Sequence, residues 1–229
     1  MSQVPVITID GPVSSGKGTV AAAVAKALGW HLLDSGAIYR VLGYYAQSQN
    51  VALDDAEALV KLAKNLPLAF QQNAAGEVQV FLAGEDVGRT IRQESVGELA
   101  SQVAVIPAVR EALLQRQQDF AQLPGLVADG RDMATVVFQQ APLKIYLTAS
   151  AEERAKRRYQ QLSEKGFSAN LSHLIEEIRA RDERDTQRTV APLKPAADAI
   201  VIDSTAMSVA DVVNQILNEA RARHLVAEQ

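Results

Sequence analysis

The chain has 229 residues, of which 48% are hydrophobic and 22% are charged, and its formal net charge is −4. This length fits one sizeable domain with an insert, or two small domains. The negative charge argues against nucleic acid or a membrane as a partner, because affinity for phosphate backbones and anionic lipids needs a cationic surface. The sequence has no cysteine, which excludes disulfides and thiolate metal sites and is typical of a cytoplasmic protein. We also expect no signal peptide, because a predicted strand begins within a few residues of the N-terminus. We expect no membrane span, since no apolar run approaches the roughly 20 residues that cross a bilayer.

A glycine-rich segment near the start has the spacing of a phosphate-binding loop. An apolar run at 4–9 precedes it and predicts a buried strand, and the alanine-rich run 20–28 predicts a helix after it. Strand, loop and helix together are the context that such a loop requires, with backbone N–H groups and the helix N-terminus facing the phosphates. The alternative is a tight turn that is merely rich in glycine. The candidate phosphate-binding residues are Gly11, Pro12, Val13, Ser14, Ser15, Gly16, Lys17, Gly18 and Thr19.

One feature of the loop bears on the metal. Gly18 separates Lys17 from Thr19, whereas the usual pattern has Ser or Thr directly after the lysine. This form is typical of nucleotide and small-metabolite kinases. It predicts that Mg²⁺ arrives with ATP and is held mostly by ATP and water. Asp129 and Asp10 are both candidates to orient that water, although Asp10 alternatively only buttresses the loop through hydrogen bonds.

Strand-like and helix-like stretches alternate along the rest of the chain. Short apolar runs predict strands at 31–34, 126–129, 144–148 and 199–203. Helices are predicted at 36–49 with Ser35 as N-cap, at 54–66 with Asp54 and Glu57 at capping-box spacing, at 151–165 opened by Ser150 and Glu153, at 171–188 and at 209–226. This alternation predicts a doubly wound α/β fold, a parallel sheet flanked by helices, with ligands at its carboxyl edge.

One segment has a different period. Residues 68–72 and 77–82 alternate apolar with polar side chains, and turn sequences lie at 73–76 and 83–86. The pattern predicts a small antiparallel insert at 64–94 in a core formed by 1–63 and 95–229.

Charged residues follow two of the predicted strands. Arg40 lies in the first turns of the helix after strand 31–34, where it can hold a phosphate in a bidentate fork or simply be a solvated surface charge. For Ser35, the alternative to a functional role is that it only caps the helix. Arg131 and Asp132 follow strand 126–129 after one glycine, Gly130, at the edge where catalytic residues of open α/β sheets collect. The alternative for this second pair is a structural ion pair.

The helix predicted at 171–188 changes character along one face. Leu171, Leu174, Ile175 and Ile178 form a core-facing stripe, and its continuation reaches Arg181, Asp185 and Arg188 with Arg184 alongside. Either the helix leaves the core and enters solvent, or this face clamps the transferred phosphate with arginines. The preceding helix carries Arg154, Arg157 and Arg158 on one face, which either contribute to the clamp or are solvated.

Taken together, these segments resemble the bacterial cytidylate kinases along almost the whole chain. The runs that carry the resemblance are VITIDGPVSSGKGT, HLLDSGAIYR, GEDV, SQVA, VREALLQRQ, ADGRDM, EKGFS and RDERD followed by Arg188. The resemblance implies a nucleoside monophosphate kinase fold with a mobile acceptor-binding insert and a short helical lid, here 157–185 with its tip near Gly166 and Phe167. It implies transfer of the γ-phosphoryl group of ATP to CMP or dCMP.

The resemblance also implies roles for individual residues. The loop 11–19 and Arg157 would bind ATP. Ser35, Arg40, Arg131 and Arg188 would hold the phosphate of CMP, Ser101, Arg110 and Asp132 would contact cytosine, and Arg181 and Asp185 would reach the sugar and phosphate. Lys17, Arg131, Arg181 and Arg188 would be the catalytic cations. The departures are Val13, Ser14 and Ser15 in the loop and Ala134 where glycine is usual, and none of them removes a charge.

Other functions stay open at this point. A kinase for another monophosphate or a small metabolite would share the loop and the arginines. A GTP-binding switch is disfavoured because the sequence has no Asn-Lys-x-Asp motif that recognises guanine, and a pure binding module does not need so many arginines. No apolar helix stripe demands a partner, so we expect a monomer.

Overall fold

The computed structural model describes residues 4–72, 78–164 and 168–226. The chain divides into two compact units. We call Met1–Leu33 with Phe120–Gln229 the sheet unit, and Asp34–Asp119 the helical unit. The sheet unit is therefore assembled from two stretches of chain that flank the helical unit in sequence.

The secondary structure of the described residues alternates as the sequence predicts. The strands are β1 (Val6–Asp10), β2 (His31–Asp34), β3 (Leu68–Gln72), β4 (Val78–Leu82), β5 (Glu85–Asp86), β6 (Leu126–Gly130), β7 (Leu143–Thr148) and β8 (Ile200–Asp203). The α-helices are α1 (Lys17–Leu28), α2 (Ser35–Ser48), α3 (Ala56–Lys64), α4 (Glu94–Val103), α5 (Pro107–Gln118), α6 (Ala151–Glu164), α7 (Leu171–Thr186) and α8 (Val209–Ala222). A 3₁₀ turn at Thr90–Arg92 and a π-helical turn at Met133–Val137 complete the set.

A parallel sheet in the order β2-β6-β1-β7-β8 is the centre of the sheet unit. Strand β1 pairs in parallel with β6 and β7, and β7 pairs in parallel with β8. Asp10 at the end of β1 lies opposite Gly130 of β6 and Tyr146 of β7. Strands β1 and β6 therefore end at the same level and β7 continues to Thr148, and the loops that follow all three start from one edge of the sheet. The predicted α/β fold with a parallel sheet is confirmed.

The core of the sheet unit explains why its strands are continuous apolar runs. All five residues of β1 are buried, as expected for a parallel strand covered on both faces. Helices α1 and α8 contribute Val20, Val24, Val212 and Ile216 to the same apolar cluster as Ile7, Ile9 and Ile145. Complete burial of one such side chain stabilises the fold by about 1.5–3 kcal/mol.

The helical unit contains α2 to α5 and the predicted small antiparallel sheet. Strand β4 pairs with β3 and with β5, both antiparallel. Helices α2 and α4 pack closely because Gly43 has no side chain: a Cβ there would lie 2.9 Å from the Cβ of Leu99. The sequence predicted an acceptor-binding insert at 64–94 and a lid at 157–185, and both functional divisions stay predictions.

Two predicted N-caps are wrong by one residue. Helix α2 is capped by Asp34, whose Oδ1 accepts from the N–H of Ala37 at 2.9 Å, and Ser35 is already helical. Helix α3 is capped by Asp55, whose Oδ1 accepts from Ala58, and not by Asp54. Two adjacent capping residues compete in both places, and the sequence alone does not say which of them takes the extended conformation that a cap needs.

Smaller differences concern element ends. The predicted turn at 83–86 is wrong in its second half, because Glu85 and Asp86 form the short strand β5. Helix α1 begins at Lys17, three residues before the predicted start, because Gly16 takes the left-handed conformation that ends the loop. Helices α3, α7 and α8 are shorter than predicted, because the pattern of apolar residues does not mark where a helix ends. The predicted turn at 73–76, Glu77, Lys165 and the proposed lid tip lie outside the described residues.

None of the helices described here is both long and apolar enough to cross a membrane.

The contact between Gly125 and Trp30 generates a stability prediction. A Cβ on Gly125 would lie 2.4–2.7 Å from three atoms of the indole ring, which is itself only 8% exposed. We expect Gly125→Ala to lower the free energy of unfolding by about 1–3 kcal/mol through overpacking. Urea denaturation followed by circular dichroism measures this loss.

The matched control for this prediction removes the ring. In a Trp30→Leu background the added methyl group meets a smaller side chain, so we expect Gly125→Ala to cost less than half as much. An equal cost in both backgrounds would contradict the steric explanation.

Candidate active site

The glycine-rich loop joins β1 to α1 as predicted, and two of its residues turn the chain. Ser14 and Gly16 have positive φ values of 59° and 88°. Gly11 allows a close approach to β7, because a Cβ there would lie 2.0 Å from the carbonyl oxygen of Leu147. The loop thus wraps back toward the start of α1, which is the arrangement that directs backbone N–H groups at an anion.

Polar side chains of the loop suit the same ligand. Lys17 reaches back across the loop and donates from Nζ to the carbonyl oxygen of Pro12 at 3.1 Å. The hydroxyl of Ser15 is buried and has no hydrogen-bond partner within 4–72, 78–164 and 168–226. A buried hydroxyl of this kind is costly unless a ligand oxygen completes its bonding.

Arg157 of α6 holds the loop from outside. Its Nη1 donates to the carbonyl oxygen of Ser15 at 3.1 Å and to the hydroxyl of Ser204 at 3.1 Å, and its Nη2 donates to the carbonyl oxygen of Ser204 at 2.7 Å. Arg157 also lines a cavity of about 390 Å³ beside the loop. The other lining residues are Ser15, Gly16, Thr19, Val20, Leu147, Glu153, Gln160, Gln161, Glu164, Ser204, Met207, Ser208, Val209 and Val212.

The charged face of α7 stays buried, so the alternative in which this helix enters solvent is wrong. Arg181 is 8% exposed and Asp185 is 1% exposed, although Arg184 lies on the solvent side. Arg131 donates from Nε to Asp185 Oδ2 at 2.6 Å, and Arg188 donates from Nη2 to Asp185 Oδ1. Burial by itself would raise the pKa of Asp185, but the charges of Arg131, Arg188 and Arg181 outweigh it and lower that pKa. The Asp185 carboxylate therefore binds Arg131 and Arg188 directly, and the charge of Arg181 acts on it as well.

The other charged candidates, on α6 and after β6, form ion pairs that the sequence analysis did not predict. Arg131 pairs with Asp185 and not, in any contact seen here, with its neighbour Asp132. Arg154 is 4% exposed and forms a two-pronged ion pair with Asp182 of α7, so its interpretation as a solvated charge is wrong. Asp132 is buried, with 4% of its surface exposed.

Asp10 and Asp129, the two candidates to orient water around a metal, have different surroundings. Both carboxylate oxygens of Asp10 accept hydrogen bonds at 2.8 Å, from the N–H groups of Met133 and Ala134. Asp10 therefore buttresses the turn after β6. Asp129 lies against the start of α1, with Oδ2 3.2 Å from where a Cβ on Gly18 would be.

The oxygen donors beside the loop are compatible with a hard divalent cation such as Mg²⁺. In the parts of the chain that the structure describes, no three His, Cys, Asp or Glu side chains group in a way that could hold an ion. Carboxylates lie next to the loop at Asp10 and Asp129, and carboxylate oxygens are ligands that Mg²⁺ accepts.

The helical unit positions the remaining candidates with its own contacts. Ser35 is buried and donates to Oε1 of Gln117 at 2.7 Å. Arg40 donates from Nη1 to the carbonyl oxygens of Ile91 at 2.8 Å and Gln93 at 3.1 Å. Its guanidinium packs on Gly97, where a Cβ would lie 3.0 Å from Nη2.

Arg110 and Ser101 lie on successive helices of the same unit. Arg110 donates from Nη1 to the carbonyl oxygen of Ala104 at 3.0 Å, and its guanidinium stacks 5.5 Å from the centre of the Tyr39 ring. Ser101 is half-buried on α4. Tyr39 is itself buried, with 7% of its surface exposed.

Two polar residues of these contacts were not singled out from the sequence. Gln117 orients Ser35, and Asp182 pairs with Arg154. Asp182 has a signal in hindsight, since it lies one helical turn before Asp185 in the charged run. Gln117 has none, because a glutamine in a polar helix looks like a surface residue.

The protein has a parallel sheet, a glycine loop that leads into a helix at the carboxyl edge of that sheet, and buried arginines nearby. Together these features define a P-loop protein that binds phosphorylated ligands. A family model described as cytidylate kinase matches residues 7–222. The chain belongs to the cytidylate kinase family.

Individual relatives support this assignment over their whole length. The cytidylate kinase of Pseudomonas putida (strain W619) is 60% identical over 226 residues, which cover 98% of this chain and 99% of that protein. The cytidylate kinase of Colwellia psychrerythraea is 59% identical over 219 residues, with 96% and 97% covered. A solved structure of an uncharacterized protein from Eubacterium ventriosum shares the fold, with a TM-score of 0.51, 11% identity and coverage of 96% of this chain and 99% of that one.

The environment of Asp10 predicts a pH dependence of stability. Burial raises the pKa of Asp10 from 3.8 to about 7, against the opposing effects of its two backbone hydrogen bonds. Between these values the unfolded chain releases the Asp10 proton while the folded chain keeps it, so the free energy of unfolding falls as the pH rises. Asp10→Asn cannot ionise and lacks this dependence.

The measurement is urea denaturation of both proteins from pH 4 to pH 8. We expect the stability difference to move in favour of Asp10→Asn as the pH rises from about 4 to about 7, and to level off above that. Parallel pH profiles for the two proteins would contradict the raised pKa.

Proposed function

We propose that this protein transfers the γ-phosphoryl group of ATP to CMP or dCMP, giving ADP and CDP or dCDP. The observation that carries the proposal is membership of the cytidylate kinase family over residues 7–222. The phosphate loop, the adjoining cavity and the arginines around Asp185 supply parts that this reaction needs. The proposal includes a monomer in the cytoplasm, in keeping with the cysteine-free sequence.

The ATP side of the site is assigned to the sheet unit. Residues 11–19 would hold the phosphates through backbone N–H groups, with Lys17 turning from the Pro12 carbonyl to phosphate oxygens. The cavity beside the loop would take the nucleoside, with Arg157 along its wall. Mg²⁺ bound with ATP supplies charge neutralisation, and Asp129 would accept hydrogen bonds from its water.

The roles toward CMP are assigned residue by residue from the family resemblance. In the sheet unit we assign Arg131 and Arg188 to the phosphate, Asp132 to cytosine, and Arg181 and Asp185 to the sugar and phosphate region. In the helical unit we assign phosphate binding to Ser35 and Arg40, and cytosine contacts to Ser101 and Arg110.

The transfer step needs alignment and charge neutralisation, and it needs no general base. An anionic oxygen of the CMP phosphate attacks the γ-phosphorus, the bond from that phosphorus to the β,γ-bridging oxygen breaks, and ADP leaves with the electron pair. Lys17, Arg131, Arg181 and Arg188 stabilise the charge that spreads over the transferred group. Closure of the lid at 157–185 would exclude water, which otherwise hydrolyses ATP.

The direct test is a coupled assay for ADP release with CMP, dCMP, UMP, AMP and shikimate as acceptors. We expect CMP and dCMP to be the preferred acceptors. Preference for AMP, UMP or shikimate would replace the proposed acceptor, and tight nucleotide binding without turnover would indicate a binding protein.

Removing the cations tests the mechanism. We expect Lys17→Ala and Arg188→Ala each to lower kcat by about 10²-fold or more, as when one electrostatic contact to a transition state is lost. Steady-state kinetics with ATP and CMP measure this. Lys26→Ala and Arg221→Ala are matched controls, because both side chains are exposed, on α1 and α8, and should leave kcat unchanged. Near-normal turnover in either test variant would contradict the role of that residue.

Base selectivity tests the assignment of Asp132. A carboxylate accepts from the N4 amine of cytosine, whereas uracil would place its O4 acceptor against it, and an unpaired buried polar group is costly. We expect Asp132→Ala to lose preference for CMP over UMP far more than it loses affinity for ATP, as judged from kcat/KM for both acceptors and KM for ATP. Unchanged selectivity would show that Asp132 does not recognise the base.

A further inference from the structure

The phosphate loop is held from behind by a buried arginine of α6. Arg154 donates from Nη1 to the carbonyl oxygen of Val13 at 3.1 Å and from Nε to the carbonyl oxygen of Ala149 at 3.0 Å. The same guanidinium forms a two-pronged pair with Asp182, at 3.0 Å from Nη1 to Oδ1 and 2.5 Å from Nη2 to Oδ2. Arg154 therefore connects the loop to α7 through hydrogen bonds.

Asp182 is the element of this contact that sets its geometry. A carboxylate that accepts two parallel N–H bonds fixes the plane of a guanidinium, which a single acceptor does not. The side chain of Arg154 is 5% exposed, so it also needs an anionic partner to remain buried at tolerable cost. Asp182 is only partly buried, with 27% of its side chain exposed.

Val13 is held by its side chain as well as by its carbonyl. The side chain packs against the apolar cluster of Ala155, Leu174 and Ile178, which joins α6 to α7. Val13 is thus held by helices α6 and α7 both through its carbonyl oxygen and through its side chain.

The pinned carbonyl determines where the next N–H group points. In a trans peptide the C=O and the following N–H point in opposite directions. Fixing the Val13 oxygen on Arg154 therefore fixes the N–H of Ser14, whose φ of 59° is one of the two turning points of the loop. Arg157 does the same for Gly16 by binding the carbonyl oxygen of Ser15.

We propose that Asp182 is a positioning residue for ATP. By fixing Arg154 it holds the Val13 carbonyl, and so orients the loop N–H groups toward the phosphates. This inference rests on the proposed function, because it assumes that the loop binds ATP. Asp182 itself contacts Arg154 and touches no substrate.

The test compares ATP and CMP in two variants and one control. We expect Asp182→Asn to raise the Kd of a non-hydrolysable ATP analogue and the KM for ATP about tenfold, the effect of weakening one charged hydrogen bond. The KM for CMP should change less than about twofold. Glu176→Gln removes one carboxylate from the exposed face of the same helix and should leave all three constants unchanged.

Arg154→Lys provides an independent arm that keeps a cation opposite Asp182. One ammonium group cannot bind Asp182, Val13 and Ala149 as the guanidinium does, so the same selective loss of ATP affinity is expected. The double variant should be no more than about twofold worse than either single variant, because both changes act through one contact.

The possible results separate the proposals. A wild-type protein that binds ATP but does not phosphorylate CMP would refute the proposed acceptor and leave the positioning role to be judged on ATP affinity alone. Normal ATP affinity in Arg154→Lys or in folded Asp182→Asn, equal losses for ATP and CMP, or additive losses in the double variant would each overturn the positioning role. A merely structural role would lower thermal stability and the active fraction without changing the Kd for ATP.

Discussion

The phosphate site depends on arginine–aspartate pairs in which at least one side chain is buried. A site for polyanions needs several guanidinium groups, yet a buried cation without a partner is expensive. The sheet unit meets this requirement with Asp185 between Arg131 and Arg188, and with Asp182 opposite Arg154. Because the pKa of Asp185 is lowered by these arginines, the carboxylate stays ionised and the cations are oriented before any phosphate arrives. Such preorganisation is what an electrostatic catalyst requires.

The sheet determines where these charges lie in the chain's fold. Strands β1 and β6 end opposite each other and β7 continues to Thr148, so the loop at Gly11, the turn after Gly130 and the segment leading to α6 all leave from one edge of the sheet. Asp10 ties the end of β1 to the backbone of the turn after β6. Backbone contacts of this kind hold the loop and the turn in fixed positions, with side chains on helices α6 and α7 supporting them.

The sequence was sufficient for features that are set by local pattern. The glycine loop, the strands at 31–34 and 68–72 and the parallel core follow from spacing and apolar periodicity, and their placement is confirmed. The sequence could not show that Asp34 and Asp55 are the N-caps of α2 and α3, because neighbouring residues have the same capping chemistry. The pairing of Arg131 with Asp185 and of Arg154 with Asp182 was also beyond it, since partners 54 and 28 residues apart in sequence meet only after folding. The roles of individual residues toward CMP stay predictions.

The central claim is that cations from separate parts of the sheet unit converge on the phosphates held by the loop. A crystal structure of the protein with a non-hydrolysable ATP analogue, Mg²⁺ and CMP tests it most directly. The account predicts that Lys17, Arg131 and Arg188 all lie within hydrogen-bond distance of phosphate oxygens, about 3 Å. Phosphates bound away from the loop, or these three side chains turned toward solvent in the occupied site, would contradict it.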